Sequence, residues 1–263
     1  MNRIPCLAIL LSLAAVCKGQ SIGGMAGVAI IDRDTGTTLT PHYYHGSYWV
    51  AGKPGARYAI EIRNRLGERL LAVTSVDGVN VVSGATANWD QTGYVFGPGE
   101  SYQITGWRKS DAQVAAFTFT ESPNSYAGLT GRPANVGVIG VAVFRERQPL
   151  PEYAPPVIGQ SPNQPAAPRA DASAGSAARE SVGKAAQDAL KLGTGHGERE
   201  ASYVSRTDFQ RMQAQPNEII RIRYDSLDNL IAMGVIRQSR PVPTTADPFP
   251  GSSIREYVPD PPG

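Results

Sequence analysis

Asp77-Gly78 stands between two apolar runs, LLAVTSV before it and VNVV after it, and no other stretch of the chain limits the fold as strongly. A two-residue hairpin turn of type I′ needs left-handed backbone at both central positions, which Asp and Gly tolerate and most residues do not. The spacing therefore predicts a β-hairpin whose strands are Leu70–Val76 and Val79–Val82.

The flanking sequence extends the hairpin into a sheet. Between Val28 and Arg147, short apolar or alternating runs are separated by Gly, Pro, Asn and Asp, the pattern of an all-β domain. Val28–Ile31 and Tyr48–Ala51 are the first expected strands, and Pro54-Gly55 suits the centre of a type II turn. Tyr58–Asn64 alternates, with Tyr58, Ile60 and Ile62 on one face and Glu61 and Arg63 on the other, as in a half-buried antiparallel strand. Gly93–Phe96, Ser101–Trp107 and Val114–Thr120 follow, and Ala115, Phe117 and Phe119 share a core face. Val136–Phe144 is apolar on both faces and reads as a central strand. About nine such strands spaced by turn signals predict an antiparallel β-sandwich or a partly closed barrel.

Past Gln148 the composition changes to Pro, Ala, Ser and Gly, too poor in large apolar groups to offset the entropy of ordering. Residues 148–178 are expected to be a disordered linker. A short helix is expected over Ala177–Leu192, and a small helix/strand block over 179–238. Within that block Glu218–Tyr224 alternates, and Ser226 and Gly234 bracket a short helix as N-cap and C′ residue. Such a block is too small for a core of its own and is expected to dock on the sandwich or on a partner, with Glu218–Tyr224 as an exposed edge that completes a sheet. The Pro-rich residues 239–263 read as a disordered tail.

The first 19 residues carry Arg3, an apolar run from Ile4 to Val16, then Lys18 and Gly19, the pattern of a secretory signal too short to span a bilayer. Export to the periplasm or beyond the cell is expected. Lipidation at Cys17 is the second reading, disfavoured by Val16 ahead of the cysteine. Both cysteines, Cys6 and Cys17, leave with this signal, so no disulfide or thiol chemistry is expected of the mature chain. The whole sequence has 25 Lys+Arg and 23 Asp+Glu; without Arg3 and Lys18 the numbers are 23 and 23. A neutral balance gives no steering toward nucleic acid, and no further apolar run approaches membrane-spanning length.

The runs GSYWVAGKPGARYAIEIRN, SVDGVNVVSG, GYVFGPGE, GWRKS, VAAFTFT, SYAGLTGRP and NVGVIGVAVFRE, with TGHGERE and IIRIRYDSLDNLIAMGVI near the C-terminus, resemble a group of exported proteobacterial proteins of uncharacterised function. The resemblance covers most of the mature chain. It implies an exported β-rich protein and supplies no catalytic residues.

Several constellations invite chemistry. Asp32-Arg33-Asp34-Thr35-Gly36 pairs carboxylates at a glycine turn but lacks the later ligands of a calcium loop, so a hairpin turn is the expected structure. His42 and His45 lie three apart, on opposite faces of any strand, and read as a surface loop rather than a metal site. No metal site and no cofactor are expected. His196, in the Gly-rich run from Gly193 to Glu198, reads as part of a flexible loop, in which Glu198 or Glu200 would orient it if it served as a base. Gly106-Trp107-Arg108-Lys109-Ser110 reads as a loop with Trp107 over the core edge and two cations suited to an acidic ligand. The aromatics Tyr43, Tyr44, Tyr48, Trp49, Trp89, Trp107 and Tyr126 fall near strand ends, where they form a candidate platform for a sugar or a peptide. Arg221 and Arg223 line one face of the late strand.

No residue set dictates a reaction, and no catalytic residue is assigned. The leading expectation is an exported, non-enzymatic β-sandwich that acts as a binding or assembly module in the bacterial cell envelope, its partner an envelope protein or glycan. Trp49, Trp89, Trp107, Arg108, Lys109, His196, Arg221 and Arg223 are its candidate contact residues. The alternatives are a glycan- or peptide-acting hydrolase built on His196 and a nearby carboxylate, and a carbohydrate-binding module.

Overall fold

The computed structural model describes residues 21–148 and 191–237. The expected leader, the tail, all but the first residue of the linker, and all but the last two residues of the helix expected over Ala177–Leu192 lie outside them. The strands form two facing sheets that do not close into a barrel, an all-β sandwich. The first sheet runs β1 (Ala26–Asp32), β4 (Arg57–Asn64), β10 (Gln113–Glu121) and β12 (Leu192–Ala201). Beside β4 lies β8 (Ser101–Ile104), and beside β10 lies β9 (Gly106–Ser110). The second sheet runs β2 (His42–Tyr44), β3 (Ser47–Gly52), β13 (Glu218–Ser226), β11 (Val138–Arg145), β5 (Leu70–Val76) and β6 (Val79–Asn80), with β7 (Tyr94–Phe96) beside β5.

The Asp77-Gly78 hairpin forms as the sequence predicts, with Val76 opposite Val79 and φ of 52° and 74° at the two turn residues. Its second strand is shorter than expected. The Asn80 side chain accepts from the amides of Val82 and Ser83 at 2.8 and 3.1 Å, which bends the chain out of the ladder. Residues 42–45 also differ from expectation. They are not a loop but β2 and the first residue of a second two-residue turn, at His45-Gly46, where φ is 45° and 76°. Asp32 organises the turn after β1, its carboxylate accepting from the amides of Asp34 and Thr35.

The core lies between the sheets. Tyr58, Ile60, Ile62, Phe117 and Phe119 come from the first, and Ile139, Val141, Val143, Ile220, Ile222 and Tyr224 from the second. Tyr58, Ile60 and Ile62, and Ala115, Phe117 and Phe119, face the core as the sequence predicts, but Ala59 and Ala116 between them are buried as well, so burial does not alternate strictly.

The C-terminal strands belong to this core. β12 pairs along β10 from Leu192 to Ala201, and β13 lies inside the second sheet, antiparallel to β11 and parallel to β3. Glu218–Tyr224 is therefore an interior strand, not the exposed edge its alternation suggested. Its alternation reflects a sheet with one face on the core and one toward solvent. A short helix, α2 (Leu227–Ala232), follows with Ser226 as its N-cap, as expected.

A buried polar chain ties the two sheets. Tyr58 and Tyr224 both hydrogen-bond the Thr194 hydroxyl, at 2.7 and 2.6 Å. The Tyr224 hydroxyl donates to Asp77, whose carboxylate also accepts from the amides of Gly137 and Thr194, each at 2.8 Å. Burial pushes the Asp77 carboxyl up from its ordinary pKa, against the pull of these donors, and lifts both phenols well above theirs. Asp225 acts beside it, accepting from the Leu192 amide at 3.1 Å. Two carboxylates of the second sheet thus occupy amides on the outer edge of β12 that would otherwise be open to another strand.

Candidate functional site

The Gly-rich run from Gly193 to Gly197 is β strand, not a flexible loop. Its glycines serve close approach. A Cβ on Gly193 would lie 2.7 Å from the Ser125 side chain and 2.8 Å from Val136, and one on Gly197 would lie 2.9 Å from the Ala116 carbonyl oxygen. This packing seats α1 (Tyr126–Leu129) against β12, with Ser125 as N-cap accepting from the Gly128 amide.

Pairing then fixes which side chains meet. His196 stands opposite Phe117 and Arg199 opposite Ala115, which in turn stands opposite Trp107 on β9. Directly paired residues share a face of the sheet, so all of these lie on the core side of the first sheet. Phe117, Ala115 and Trp107 are buried, whereas His196 and Arg199 are exposed.

Tyr126 closes the boundary between the two environments. Its ring stacks on His196, with centroids 6.0 Å apart, and lies 4.8 Å from Trp107. The Lys109 ammonium and the Arg132 guanidinium sit over the same ring at 5.6 and 5.9 Å. Desolvation first, then the charges of Lys109 and Arg199, pull the His196 pKa below its ordinary value, and desolvation followed by Arg199 lowers that of Lys109.

Arg108 points the other way. Its guanidinium donates to the Tyr94 hydroxyl at 3.2 and 3.0 Å, to the Ser202 carbonyl at 2.6 Å and hydroxyl at 3.1 Å, and to the Ser110 carbonyl at 3.4 Å. These contacts use its donors within the protein, so Arg108 is a strut rather than the free cation the sequence suggested. The strut fixes one wall of a cleft of about 750 Å³ lined by Tyr94, Tyr102, Tyr203, Arg206 and Asp208 among others. Tyr203 is 78% exposed at its rim, and the Tyr102 hydroxyl is 3.0 Å from that of Ser202. The opposite wall is the chain after β12, held by Val204 N–H to Asp111 carbonyl at 2.9 Å and by Arg69 to the Asp208 carbonyl at 2.6 Å. A volume of this order suits a ligand of several hundred daltons or a short chain segment.

The other sequence candidates separate. Trp107 does not sit in a loop; it is buried in β9 and donates to the Gly195 carbonyl at 3.1 Å. Arg223 lies over Trp49 at 5.5 Å on the outer face of the second sheet, where the register sets them opposite each other. Arg221 is exposed two residues away on the same strand face. Trp89 is 44% exposed in the turn after β6. The structure thus unites Lys109 with His196, and Trp49 with Arg223, and leaves Trp89 apart.

No family model matches the chain, and neither a curated protein nor a solved structure is significantly similar to it.

The hydrolase reading needed His196 over a cleft with a carboxylate beside it. His196 is instead an exposed strand residue that does not line the cleft, and the charges acting on it are the cations Lys109 and Arg199. Glu200 is engaged elsewhere, by Arg33 at 2.8 Å and Arg57 at 3.5 Å. The site residues that sequence reasoning did not single out are Tyr94, Tyr102, Tyr203, Arg132 and Arg199. They come from four separate segments, brought together by the pairing of β12 and β9 with β10, of β8 with β4 and of β7 with β5.

Proposed function

We propose that this protein is an exported, non-enzymatic β-sandwich that serves as a binding or assembly module of the bacterial cell envelope, with its partner seated in the Tyr94–Tyr102–Tyr203 cleft. The observation that carries the reading is the cleft itself. Its wall sets the rings of Tyr94 and Tyr102 behind the exposed Tyr203, and Arg108 holds that wall in place before any ligand arrives. Preorganisation of this kind lowers the entropic cost of binding. Export is supported by the N-terminal sequence, with its basic residue, apolar run and small residue at the expected end.

A carbohydrate-binding module is the second reading, favoured by the three tyrosines on one cleft, since aromatic faces stack on the C–H surfaces of sugars. Both readings are tested by titrating the full chain with glycan fragments and with peptides released from purified envelopes, alongside Tyr203→Ala. Saturable binding weakened by the substitution supports the cleft, and the class of ligand that binds chooses between the readings. Binding of neither class, or binding indifferent to Tyr203, removes the cleft from the account.

A further inference from the structure

We propose that the Tyr126 cluster is a second site, which binds a phosphate-bearing anion through Lys109, Arg199 and Arg132 with His196 at its edge. The proposal is independent of the cleft, because Arg108 and Lys109 project to different sides of β9 and the cleft contains none of the four residues.

Two cations, Lys109 and Arg132, and the His196 imidazole gather on one ring, and Arg199 acts on both Lys109 and His196 from β12, yet none of the three cations is in an ion pair among the described residues. Other arginines of the chain are neutralised directly, among them Arg33 with Glu200, Arg57 with Asp34 and Arg145 with Glu68. Like charges held together without such a partner disfavour the fold. Here the repulsion is retained, as the effect of Arg199 on both Lys109 and His196 records.

The cluster is also built in advance. Arg132 is anchored by Nη1 to the Gly84 carbonyl at 3.1 Å and by Nε and Nη2 to the Thr130 hydroxyl at 3.2 and 3.0 Å. With five N–H donors in all, it keeps two for a ligand. Lys109 is held over Tyr126, and Arg199 and His196 are placed by the β12 register. A multivalent oxyanion placed among them would gain charge-assisted hydrogen bonds from several directions.

The Tyr126 phenol of α1 stacks on His196 and shares its ring with Arg132, Glu198 follows two residues on in β12, and the charges that act on the imidazole are the cations Lys109 from β9 and Arg199 from β12. A bound anion would reverse their effect and favour the imidazolium, so binding strengthens as pH falls through the His196 titration.

The test uses the histidines themselves, His42, His45 and His196, as NMR reporters in the full chain. Their ring signals are titrated with pH alone, with inorganic pyrophosphate, and with phosphatidylglycerol vesicles against phosphatidylcholine vesicles. The expected result is a saturable upward shift of the His196 midpoint, with His42 and His45 unmoved. Pyrophosphate without vesicles would identify a soluble phosphate ligand, and phosphatidylglycerol without pyrophosphate a headgroup. Lys109→Gln and Arg199→Gln should each weaken the effect about tenfold, the loss of one charge-assisted contact. Lys109→Gln should also raise the His196 midpoint without any anion. No saturable shift with either probe, equal shifts at all three histidines, or undiminished binding by both folded variants would overturn the proposal.

Discussion

The Tyr224 hydroxyl donates a 2.5 Å hydrogen bond to the Asp77 carboxylate across 147 residues of sequence. Asp77 belongs to the turn of the β5–β6 hairpin and Tyr224 to the last strand, so this contact, with Thr194 between the sheets, fastens the C-terminal strands into the sandwich. Asp77→Ala would leave the amides of Gly137 and Thr194 buried without an acceptor. A loss of about 2–6 kcal/mol is expected, from roughly 1–3 kcal/mol for each stranded donor. Tyr224→Phe, which removes one hydroxyl, should cost about 1–2 kcal/mol. Urea unfolding of the three proteins checks both values and their order.

The raised pKa of Asp77 makes a prediction about acid. A group whose folded pKa lies above its unfolded value binds a proton more tightly in the fold, so its contribution to stability improves as pH falls from the folded pKa toward the unfolded one. It worsens as pH rises through the same interval. Asp77→Asn has no such titration. The difference in melting temperature between wild type and Asp77→Asn should therefore change across the mildly acidic range in favour of wild type at the lower pH, and be flat above it. A difference that is constant through that range would contradict the buried placement.

Gly193 tests whether the Gly-rich run is strand or loop. In a flexible loop, Gly→Ala is neutral or stabilising by about 0.4–1 kcal/mol through the unfolded state. In β12 the new methyl meets Ser125 and Val136 at under 3 Å, and overpacking of this kind costs about 1–3 kcal/mol. Thermal unfolding of Gly193→Ala decides the sign.

Arg108→Ala should open the cleft without unfolding the sandwich. It removes the ties from β9 to Tyr94 and Ser202, and a loss of about 1–3 kcal/mol is expected for hydrogen bonds to a charged group. Faster hydrogen exchange at the Val204 amide, with unchanged exchange in β4 and β11, is the expected local signature. Uniform exchange across the chain would show that Arg108 supports the whole fold instead.

Much of the sandwich was readable because its signals are local. Asp77-Gly78 demands a turn by backbone sterics alone, and the alternation at Tyr58–Ile62 and Ala115–Phe119 reports the core face of each strand, although Ala59 and Ala116 are buried too. The His45-Gly46 turn carried the same kind of signal in weaker form, because histidine enters left-handed backbone less readily than asparagine or aspartate. Gly193–Gly197 misled for a physical reason. Glycine that yields room to Ser125, Val136 and Ala116 looks, in one dimension, like glycine that confers flexibility. The place of β13 between β3 and β11 depends on pairing across more than 70 residues, and nothing local distinguishes an interior strand from an edge with the same alternation. The site was legible only in fragments. Arg108 and Lys109 are neighbours in sequence, and strand geometry sends them to different sides, one to brace a cleft and the other to join His196.

The most direct test of the binding account is a photocrosslinking amino acid placed at Tyr203, compared with the same residue placed at Trp89, which is exposed but outside the cleft. Irradiation in living cells, followed by mass spectrometry of the adducts, reads which envelope component touches each position. The account predicts one dominant envelope protein or glycan adduct at position 203 that is missing at position 89 and disappears when Arg108 is also replaced by alanine. No adduct at 203, or the same adducts at both positions, would contradict it.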